Sequence, residues 1–368
     1  MIRTKGITAV IRSLGGGGAE RVLATMLNYW AERGVPVSLV TTTLSCDHVY
    51  PLHQNIRCIA IPAIPTPNNL DNCPWDVRHL RQAILTEGHA TVISFMEKSN
   101  LPCILAIAGL PARLVIAERT DPRMQQEFSE YKKALIRRLY PLADALVVQT
   151  KSVKQWFLDF MPEENVHIIR NMVNVDTSST YPDLHLPEKF ICCMGRLTPC
   201  KGLSGLIGQL PDIFSRHPDY SLLILGEGPD RADLAVQVSA LGLTKKVLMP
   251  GFLSAPHSIL EKASVFVLPS VFEGFPNALL EAMALGVPSV SFDCASGPAE
   301  IVETGVNGIL VENQNYEALR DAILSLLESQ EKRNMLSANA KLCIKERYNT
   351  SKIMQEWGKI SYIQLDTH

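Results

Sequence analysis

The sequence predicts an α/β protein with two domains, each built around a doubly wound parallel sheet. Three observations predict it. Short apolar runs alternate with stretches of helical periodicity along most of the chain, as in sheets whose strands are joined by crossover helices. The length of 368 residues exceeds what one ordinary hydrophobic core holds. The pattern also stops in a polar, proline-containing segment at 178–187 and restarts at Phe190, which predicts a domain boundary.

The predicted elements follow in order along the chain. In the first half, the apolar runs predict strands at 7–11, 37–40, 56–61, 91–96, 113–117, 145–149 and 166–169. In the second half they predict strands at 190–194, 222–225, 247–253, 265–268 and 289–292. Helical spacing predicts helices between most of these strands and, near the end of the chain, at 316–348 and 351–363. The Pro- and Asn-rich segment 62–74 predicts a loop at the carboxyl ends of the strands.

A glycine cluster, Gly15 to Gly18, follows the first strand and precedes a helix. Such a turn can cradle a phosphate, although a flexible turn is an equally good interpretation. The dinucleotide fingerprint G-x-G-x-x-G is absent, because its third glycine would fall on Glu20 or Arg21.

Two clusters of charge follow the strand at 113–117. Glu118, Arg119 and Asp121 come directly after it, where either a functional loop or an exposed turn would fit. The basic segment 131–140 follows as an amphipathic helix. It is either a solvated face or a cationic strip for a lipid headgroup or lipid diphosphate.

The second half carries two further motifs, each after a predicted strand. Arg196 and Lys201 lie between Gly195 and Gly202, and such fixed cations can stabilise an anion. Glu273 follows the strand at 265–268, and Glu281 lies about two turns into the next helix. The backbone N–H groups between these acids lie at a helix N-terminus, which suits a phosphate.

Three motifs, Gly-Gly-Ala-Glu-Arg at 17–21, Gly-Arg-Leu…Lys-Gly at 195–202 and the Glu-x7-Glu pair, resemble those of retaining GT-B glycosyltransferases. The family is the large family 4-like group that includes bacterial glycan-assembly and N-acetylgalactosamine-type transferases. The resemblance implies two Rossmann-like domains facing a cleft that holds the active site. It implies an acceptor-binding domain at 1–177, a nucleotide-sugar-binding domain at 178–349 and a C-terminal helix at 350–368 crossing back to the first domain.

The same resemblance implies a role for each site residue. The residues implied in catalysis are Arg196, Lys201, Glu273 and Asp121. The residues implied in donor binding are Gly17, Gly18, Arg196, Lys201, Phe252, Glu273, Gly274, Phe275, Pro276, Asn277 and Glu281. The residues implied in acceptor binding are Glu118, Arg119, Lys132, Lys133, Arg137 and Arg138.

Two positions leave alternatives open. Arg119 stands where many relatives carry a histidine, and an arginine cannot act as a general base at neutral pH. Asp121 or an oxygen of the donor phosphate then remains to accept the acceptor's proton. Phe252 could stack on the nucleotide base or belong to the core.

The expected reaction is metal-independent, retaining transfer of a sugar from a nucleotide donor, UDP-linked by expectation, to a glycan or a polyprenyl-diphosphate-linked glycan. No cofactor is expected, because the nine cysteines and the histidines show no metal-ligand spacing. No apolar run is long enough to cross a bilayer, and no signal-peptide pattern is present. We therefore expect a cytoplasmic protein with peripheral contact to the inner membrane face and no nucleic-acid partner.

Two other classes compete with this hypothesis. A non-catalytic nucleotide-sugar-binding or scaffold subunit is the alternative, and Arg119 in the histidine's place favours it. The combination of Arg196, Lys201 and Glu273 counts against it. A dinucleotide-dependent oxidoreductase ranks third, because the cluster at Gly15 to Gly18 and a second turn, Gly226-x-Gly228, both lack the third glycine.

Overall fold

The computed structural model describes residues 4–42, 50–61, 76–123, 129–178, 181 and 184–363. The chain divides into two compact units. The first comprises Met1–Asn171 with Ser351–His368, and the second comprises Met172–Thr350. The domain limits expected at 177 and 349 remain predictions. The loop predicted at 62–74 lies outside the described residues, as does part of the segment predicted to link the domains.

The first unit contains a parallel sheet with the strand order β3-β2-β1-β4-β5-β6-β7 in the described residues. The strands are β1 (Thr4–Val10), β2 (Val37–Thr41), β3 (Ile56–Ala60), β4 (His89–Phe95), β5 (Arg113–Ala117), β6 (Ala145–Val148) and β7 (Val166–Ile168). The helices are α1 (Gly18–Ala31), α2 (Val77–Glu87), α3 (Glu97–Ile107), α4 (Glu130–Leu139) and α5 (Lys151–Phe157). The inner strands are almost entirely buried, which explains why the sequence shows continuous apolar runs rather than alternation.

The second unit repeats this plan with the described strand order β10-β9-β8-β11-β12-β13. The strands are β8 (Lys189–Met194), β9 (Tyr220–Leu225), β10 (Val247–Gly251), β11 (Val265–Leu268), β12 (Ser289–Asp293) and β13 (Ile309–Glu312). The helices are α6 (Leu203–Arg216), α7 (Arg231–Ala240), α8 (His257–Leu260), α9 (Asn277–Leu285), α10 (Pro298–Ile301), α11 (Tyr316–Glu328) and α12 (Gln330–Arg347). The predicted α/β class with two parallel sheets is confirmed.

Each sheet reverses its strand order once, between β1 and β4 in the first unit and between β8 and β11 in the second. In open parallel sheets, ligands bind outside the carboxyl ends of the strands at such a reversal. The loops that leave β8 and β11 in the second unit carry the Arg196–Lys201 motif and Glu273. The topology therefore brings these two motifs to one edge of one sheet.

The last helix, α13 (Thr350–Ser361), belongs largely to the first unit. Its Trp357 stacks on Phe95 at the end of β4, with ring centroids 5.9 Å apart. The carbonyl of Ser361 accepts a hydrogen bond from Thr91 Oγ1 at 2.8 Å. Met354 and Trp357 are buried on one face of this helix and Ile360 is half-buried, so the helix is held by core packing and backbone bonds. None of the described helices is both long and apolar enough to cross a membrane.

Candidate active site

The centre of the candidate site is an ion pair between the loops that follow β8 and β11. Lys201 Nζ lies 2.5 Å from Glu273 Oε1. The Glu273 side chain is 9% exposed and that of Lys201 is 21% exposed. A charge-assisted hydrogen bond in such a partly buried place is stronger than one on the open surface. The two residues that the sequence assigned to catalysis from separate motifs therefore contact each other directly.

Two glycines allow these loops to approach so closely. Gly202 ends the turn that carries Lys201, with φ of 62°. A Cβ placed there would lie 2.1 Å from the carbonyl oxygen of Pro269. A Cβ at Gly226, where φ is 148°, would lie 1.9 Å from the carbonyl oxygen of Gly195. Side chains at either position would force the loops apart, and the ion pair with them.

A small, partly open pocket lies beside Lys201, and most of its lining is apolar. Arg196, Lys201 and Ser270 contribute its polar lining. Arg196 is exposed. The Ser270 Oγ is buried and has no hydrogen-bond partner among the described residues. Two cations and an unused hydroxyl are groups that can receive the oxygens of a phosphate.

The Cys294 thiol lies close to the ion pair and feels the charge of Glu273. Burial, with the Glu273 carboxylate adding to it, raises the pKa of the Cys294 thiol to about 12. Cys294 therefore stays a neutral thiol beside the ion pair, and a thiolate nucleophile is not available there.

The second carboxylate of the motif, Glu281, lies in α9 and is only 5% exposed. Its Oε2 lies 3.1 Å from His257 Nε2. The Nδ1 of that histidine receives the backbone N–H of Asp176 at 3.0 Å. His257 was not predicted as a site residue from the sequence, because it lies in a four-residue helix with no motif around it.

The residues between the two glutamates form the entry to α9. Pro276 immediately precedes the helix, and Asn277 is its first residue. The Gly274 carbonyl accepts from Ser296 Oγ at 3.2 Å, while Phe275 is buried with its ring 6.2 Å from that of Tyr348. Pro276, which the sequence predicts as the first residue of this helix, occupies the capping position instead. The turn is anchored on both sides, with the N-terminus of α9 following Glu273.

Phe252 directly follows β10 in the second unit and is 46% exposed. Of the two interpretations left open by the sequence, this exposure argues against a core position. Stacking on a nucleotide base remains a prediction.

The glycine turn of the first unit starts α1. Gly17 is the residue that precedes the helix and Gly18 is its first residue. A Cβ on Gly17 would lie 2.2 Å from Glu20 Oε2. The Glu20 carboxylate therefore lies against the turn, and a phosphate binding there would meet a like charge. Donor binding by these glycines stays a prediction.

The loop after β5 is built largely from internal contacts. Glu118 is buried, and its Oε1 accepts from the Tyr140 hydroxyl and, at 3.1 Å, from Asn100 Nδ2. Burial, together with the nearby charge of Glu97, raises the pKa of Glu118 to about 8. Both oxygens of the buried Asp121 accept from the Arg123 guanidinium, at distances down to 2.6 Å. Both oxygens of Asp121 are therefore already occupied by the Arg123 guanidinium.

Arg119, which the sequence assigned to acceptor binding, is 6% exposed. Its guanidinium carbon lies 4.2 Å from the ring centroid of Phe95 and 5.6 Å from that of Trp357. Its Nη1 donates to Asn171 Oδ1 at 2.8 Å. Burial lowers the pKa of Arg119 to about 9, so it remains a cation at neutral pH. In the described structure Arg119 packs on the C-terminal helix through cation–π contacts.

The four basic residues of α4 differ in their contacts. Lys132 is half-buried and pairs with Glu97 at 2.7 Å, and Lys133 pairs with Glu130 at 2.8 Å. Arg137 and Arg138 are exposed, with the guanidinium of Arg137 6.0 Å from the ring centroid of Trp156. Arg137 and Arg138 are therefore better placed than the two lysines to meet an external anion. Acceptor binding by all four residues remains untested by these contacts.

Comparison with known proteins matches both halves of the chain to family models. Residues 16–177 match the model described as Glycosyltransferase Family 4, and residues 181–342 match the one described as Glycosyl transferases group 1. Over 342 residues, the chain is 30% identical to the N-acetylgalactosamine-N,N'-diacetylbacillosaminyl-diphospho-undecaprenol 4-alpha-N-acetylgalactosaminyltransferase of Campylobacter jejuni. That match spans 90% of this chain and 92% of the relative.

Solved structures share the fold along nearly the whole chain. The sucrose-phosphate synthase of Thermosynechococcus elongatus superimposes with a TM-score of 0.84 at 19% identity, covering 97% of this chain and 98% of that one. The Anabaena protein HepE, solved in complex with UDP, gives a TM-score of 0.80 at 19% identity, covering 96% and 98%. Identities this low establish a common architecture.

Proposed function

Because the chain belongs to the family 4 and group 1 glycosyltransferases, which have the GT-B fold, we propose how it acts. It transfers a sugar from a UDP-sugar to a glycan carried on a polyprenyl diphosphate. The anomeric configuration is retained, and no metal takes part. The observation that carries the proposal is the Lys201–Glu273 ion pair beside a pocket lined by Arg196. The pair sets a cation beside a carboxylate at the reversal of the second sheet, which supports a role for Glu273 in binding the sugar.

The chemistry requires stabilisation of the departing diphosphate. As the bond between the sugar's C1 and the phosphate oxygen breaks, negative charge grows on the β-phosphate. Lys201 and Arg196 are fixed cations that stabilise this charge more in the transition state than in the ground state. Since they supply positive charge, no metal is needed for this step. Glu273 accepts hydrogen bonds from the sugar hydroxyls, and Glu281 accepts them from the ribose.

The acceptor's hydroxyl oxygen forms the new bond to C1 on the face that the diphosphate leaves. Its proton passes to an oxygen of the departing diphosphate. This route is favoured because both oxygens of the other candidate, Asp121, already accept hydrogen bonds from Arg123. Arg119 is a cation at neutral pH and cannot take the proton.

The substrate classes are supported by two names. The Campylobacter relative is named as transferring N-acetylgalactosamine to a diphospho-undecaprenol-linked glycan, and the structural neighbour HepE was solved with UDP. We propose a UDP-linked N-acetylhexosamine as the donor and a lipid-diphosphate glycan as the acceptor.

Incubating the protein with UDP-N-acetylgalactosamine and an undecaprenyl-diphosphate disaccharide that ends in N-acetylgalactosamine is expected to release UDP. The acceptor should gain one sugar in the α configuration, as seen by mass spectrometry and by the anomeric proton coupling. Excess EDTA should leave the rate unchanged, because Lys201 and Arg196 supply the positive charge. No UDP release from any of several UDP-sugars would favour a non-catalytic subunit, and loss of activity in EDTA would refute metal independence.

We further propose that the first unit contacts a membrane through α4 and the turn that follows it. Tyr131 and Leu142 are 75% and 68% exposed and lie about three helical turns apart. Arg137 and Arg138 lie between them and are exposed. An exposed apolar pair with cations between them suits the surface of an anionic bilayer.

Replacing Tyr131 and Leu142 by serine is expected to weaken co-sedimentation with phosphatidylglycerol vesicles by at least tenfold, since burying each side chain contributes about 1.5–3 kcal/mol. Phosphatidylcholine vesicles should bind the native chain weakly. Val236→Ser is a matched control, because Val236 is 70% exposed but lies in α7 of the second unit. Equal vesicle binding by the double variant and by this control would contradict the proposed contact.

A further inference from the structure

His257 connects the second carboxylate of the site to the segment that follows β7. Its Nε2 lies 3.1 Å from Glu281 Oε2, and its Nδ1 lies 3.0 Å from the backbone nitrogen of Asp176. The side chains of His257 and Glu281 are 8% and 7% exposed. Both ring nitrogens are therefore used inside the protein, and none is left to water.

The hydrogen bonds fix which nitrogen carries the proton. The backbone N–H of Asp176 can only donate, so Nδ1 must accept and must be unprotonated. The proton of the neutral ring is then on Nε2, which donates to Glu281. The Asp176 backbone thus selects the tautomer that Glu281 needs.

A second bond holds the histidine's short helix in place. The backbone N–H of Ala255, just before α8, donates to the Tyr181 hydroxyl at 3.1 Å. The helix α8 has only four residues, so its own backbone bonds give little rigidity. Contacts from residues 176 and 181 of the preceding segment therefore set where His257 points.

We infer that His257 is a positioning residue, which orients the Glu281 carboxylate to receive the ribose hydroxyls of the donor. This inference rests on the proposed function. A carboxylate offers about four lone-pair sites, so a hydrogen bond at Oε2 leaves capacity for a diol. Loss of the His257 donor would remove one of the bonds that fix the rotation of this carboxylate. His257 thus prepares the ribose site before the nucleotide arrives.

Two amide substitutions separate the bonds at the two ring nitrogens. The oxygen of His257→Asn can replace Nδ1 as the acceptor for Asp176, but its side chain is too short to reach Glu281. The amide of His257→Gln reaches the position of Nε2 and can donate to Glu281. His257→Asn removes more packing volume than His257→Gln, so a ligand without the ribose hydroxyls is needed to separate packing from the Glu281 bond.

The experiment is calorimetric titration of the full chain and these variants with UDP and with 2′,3′-dideoxy-UDP. The native chain is expected to bind UDP at least tenfold more tightly than the dideoxy compound, because losing a hydrogen bond to a charged group lowers the affinity by at least that factor. In His257→Asn the UDP affinity should fall about tenfold and the preference for UDP should largely disappear. His257→Gln should retain most of both. Binding of the dideoxy compound should change little in either variant.

The other outcomes distinguish an error in the proposed UDP donor from an error in the role of His257. If the native chain binds no UDP, the proposed UDP donor is wrong and the inference falls with it. If UDP binds but His257→Asn keeps the native preference for the ribose, only the positioning role is wrong. If His257→Gln loses the preference as fully as His257→Asn, a donor at the Nε2 position is not what orients Glu281, and the positioning role is wrong. His217→Asn, at the C-terminal end of α6 in the same unit, controls for replacing a histidine at all.

Discussion

Replacing Lys201 by alanine is expected to lower turnover by roughly a hundredfold to a thousandfold, the usual cost of removing one fixed group that stabilises developing negative charge. The ammonium group lines the pocket beside Arg196 and is held by Glu273 at 2.5 Å. When the diphosphate departs, this pre-oriented cation needs no reorganisation to meet it. Because the effect is on the transition state, kcat should fall much more than the affinity for UDP.

The fold must be shown to survive this substitution. Lys201→Ala leaves the nearly buried Glu273 carboxylate without its cation, which by itself can destabilise the unit. The double variant Lys201→Ala with Glu273→Gln removes the orphaned charge and should recover thermal stability without recovering turnover. Lys189→Ala serves as a matched control, since Lys189 pairs with Asp219 at 2.7 Å with both side chains about half exposed. A turnover in Lys201→Ala within threefold of the native value would refute the assigned role.

Much of the fold followed from the sequence because both sheets are parallel and buried. Apolar runs such as 114–117 and 265–268 are too short for helices and are followed directly by Glu118 and Pro269, so they predicted buried strands. The exception was β13, whose residues from Ile309 are half-buried or exposed. An edge strand of this kind shows little apolar signal, so its burial pattern could be learned only from the structure.

Site residues could be predicted where a charged side chain comes directly after a strand. They could not be predicted where the role depends on tertiary contacts. Lys201 and Glu273 lie 72 residues apart in sequence but follow adjacent strands, so the sheet topology brings them together. His257 gave no signal, because its role depends on a backbone N–H 81 residues away. For Arg119 the sequence indicated charge at a strand's end, but could not show the rings of Phe95 and Trp357 beside it.

The buried Glu118 is expected to make the first unit less stable as the pH rises from about 5 to about 8. Burial raises the pKa of Glu118 from its usual 4.5 to about 8. In this window the folded state keeps a proton that the unfolded chain releases, so deprotonation favours unfolding. The loss amounts to at most about 1.4 kcal/mol of unfolding free energy per pH unit. Above pH 8 both states are ionised, and this contribution levels off.

Glu118→Gln isolates this effect, because the amide cannot titrate while its oxygen can still accept from Tyr140 and Asn100. Urea unfolding at pH 5.5 and 7.5, followed by tryptophan fluorescence, measures the stability of the first unit. All four tryptophans fall in the residue ranges of that unit. The variant's stability relative to the native chain should rise by about 2–3 kcal/mol between these pH values. Glu163→Gln is the control, because Glu163 is 76% exposed and its pair with Lys154 spans 3.3 Å. If the two variants show the same pH dependence, Glu118 is ionised in the folded protein throughout this range, and its contacts with Tyr140 and Asn100 then bind a carboxylate rather than a carboxylic acid.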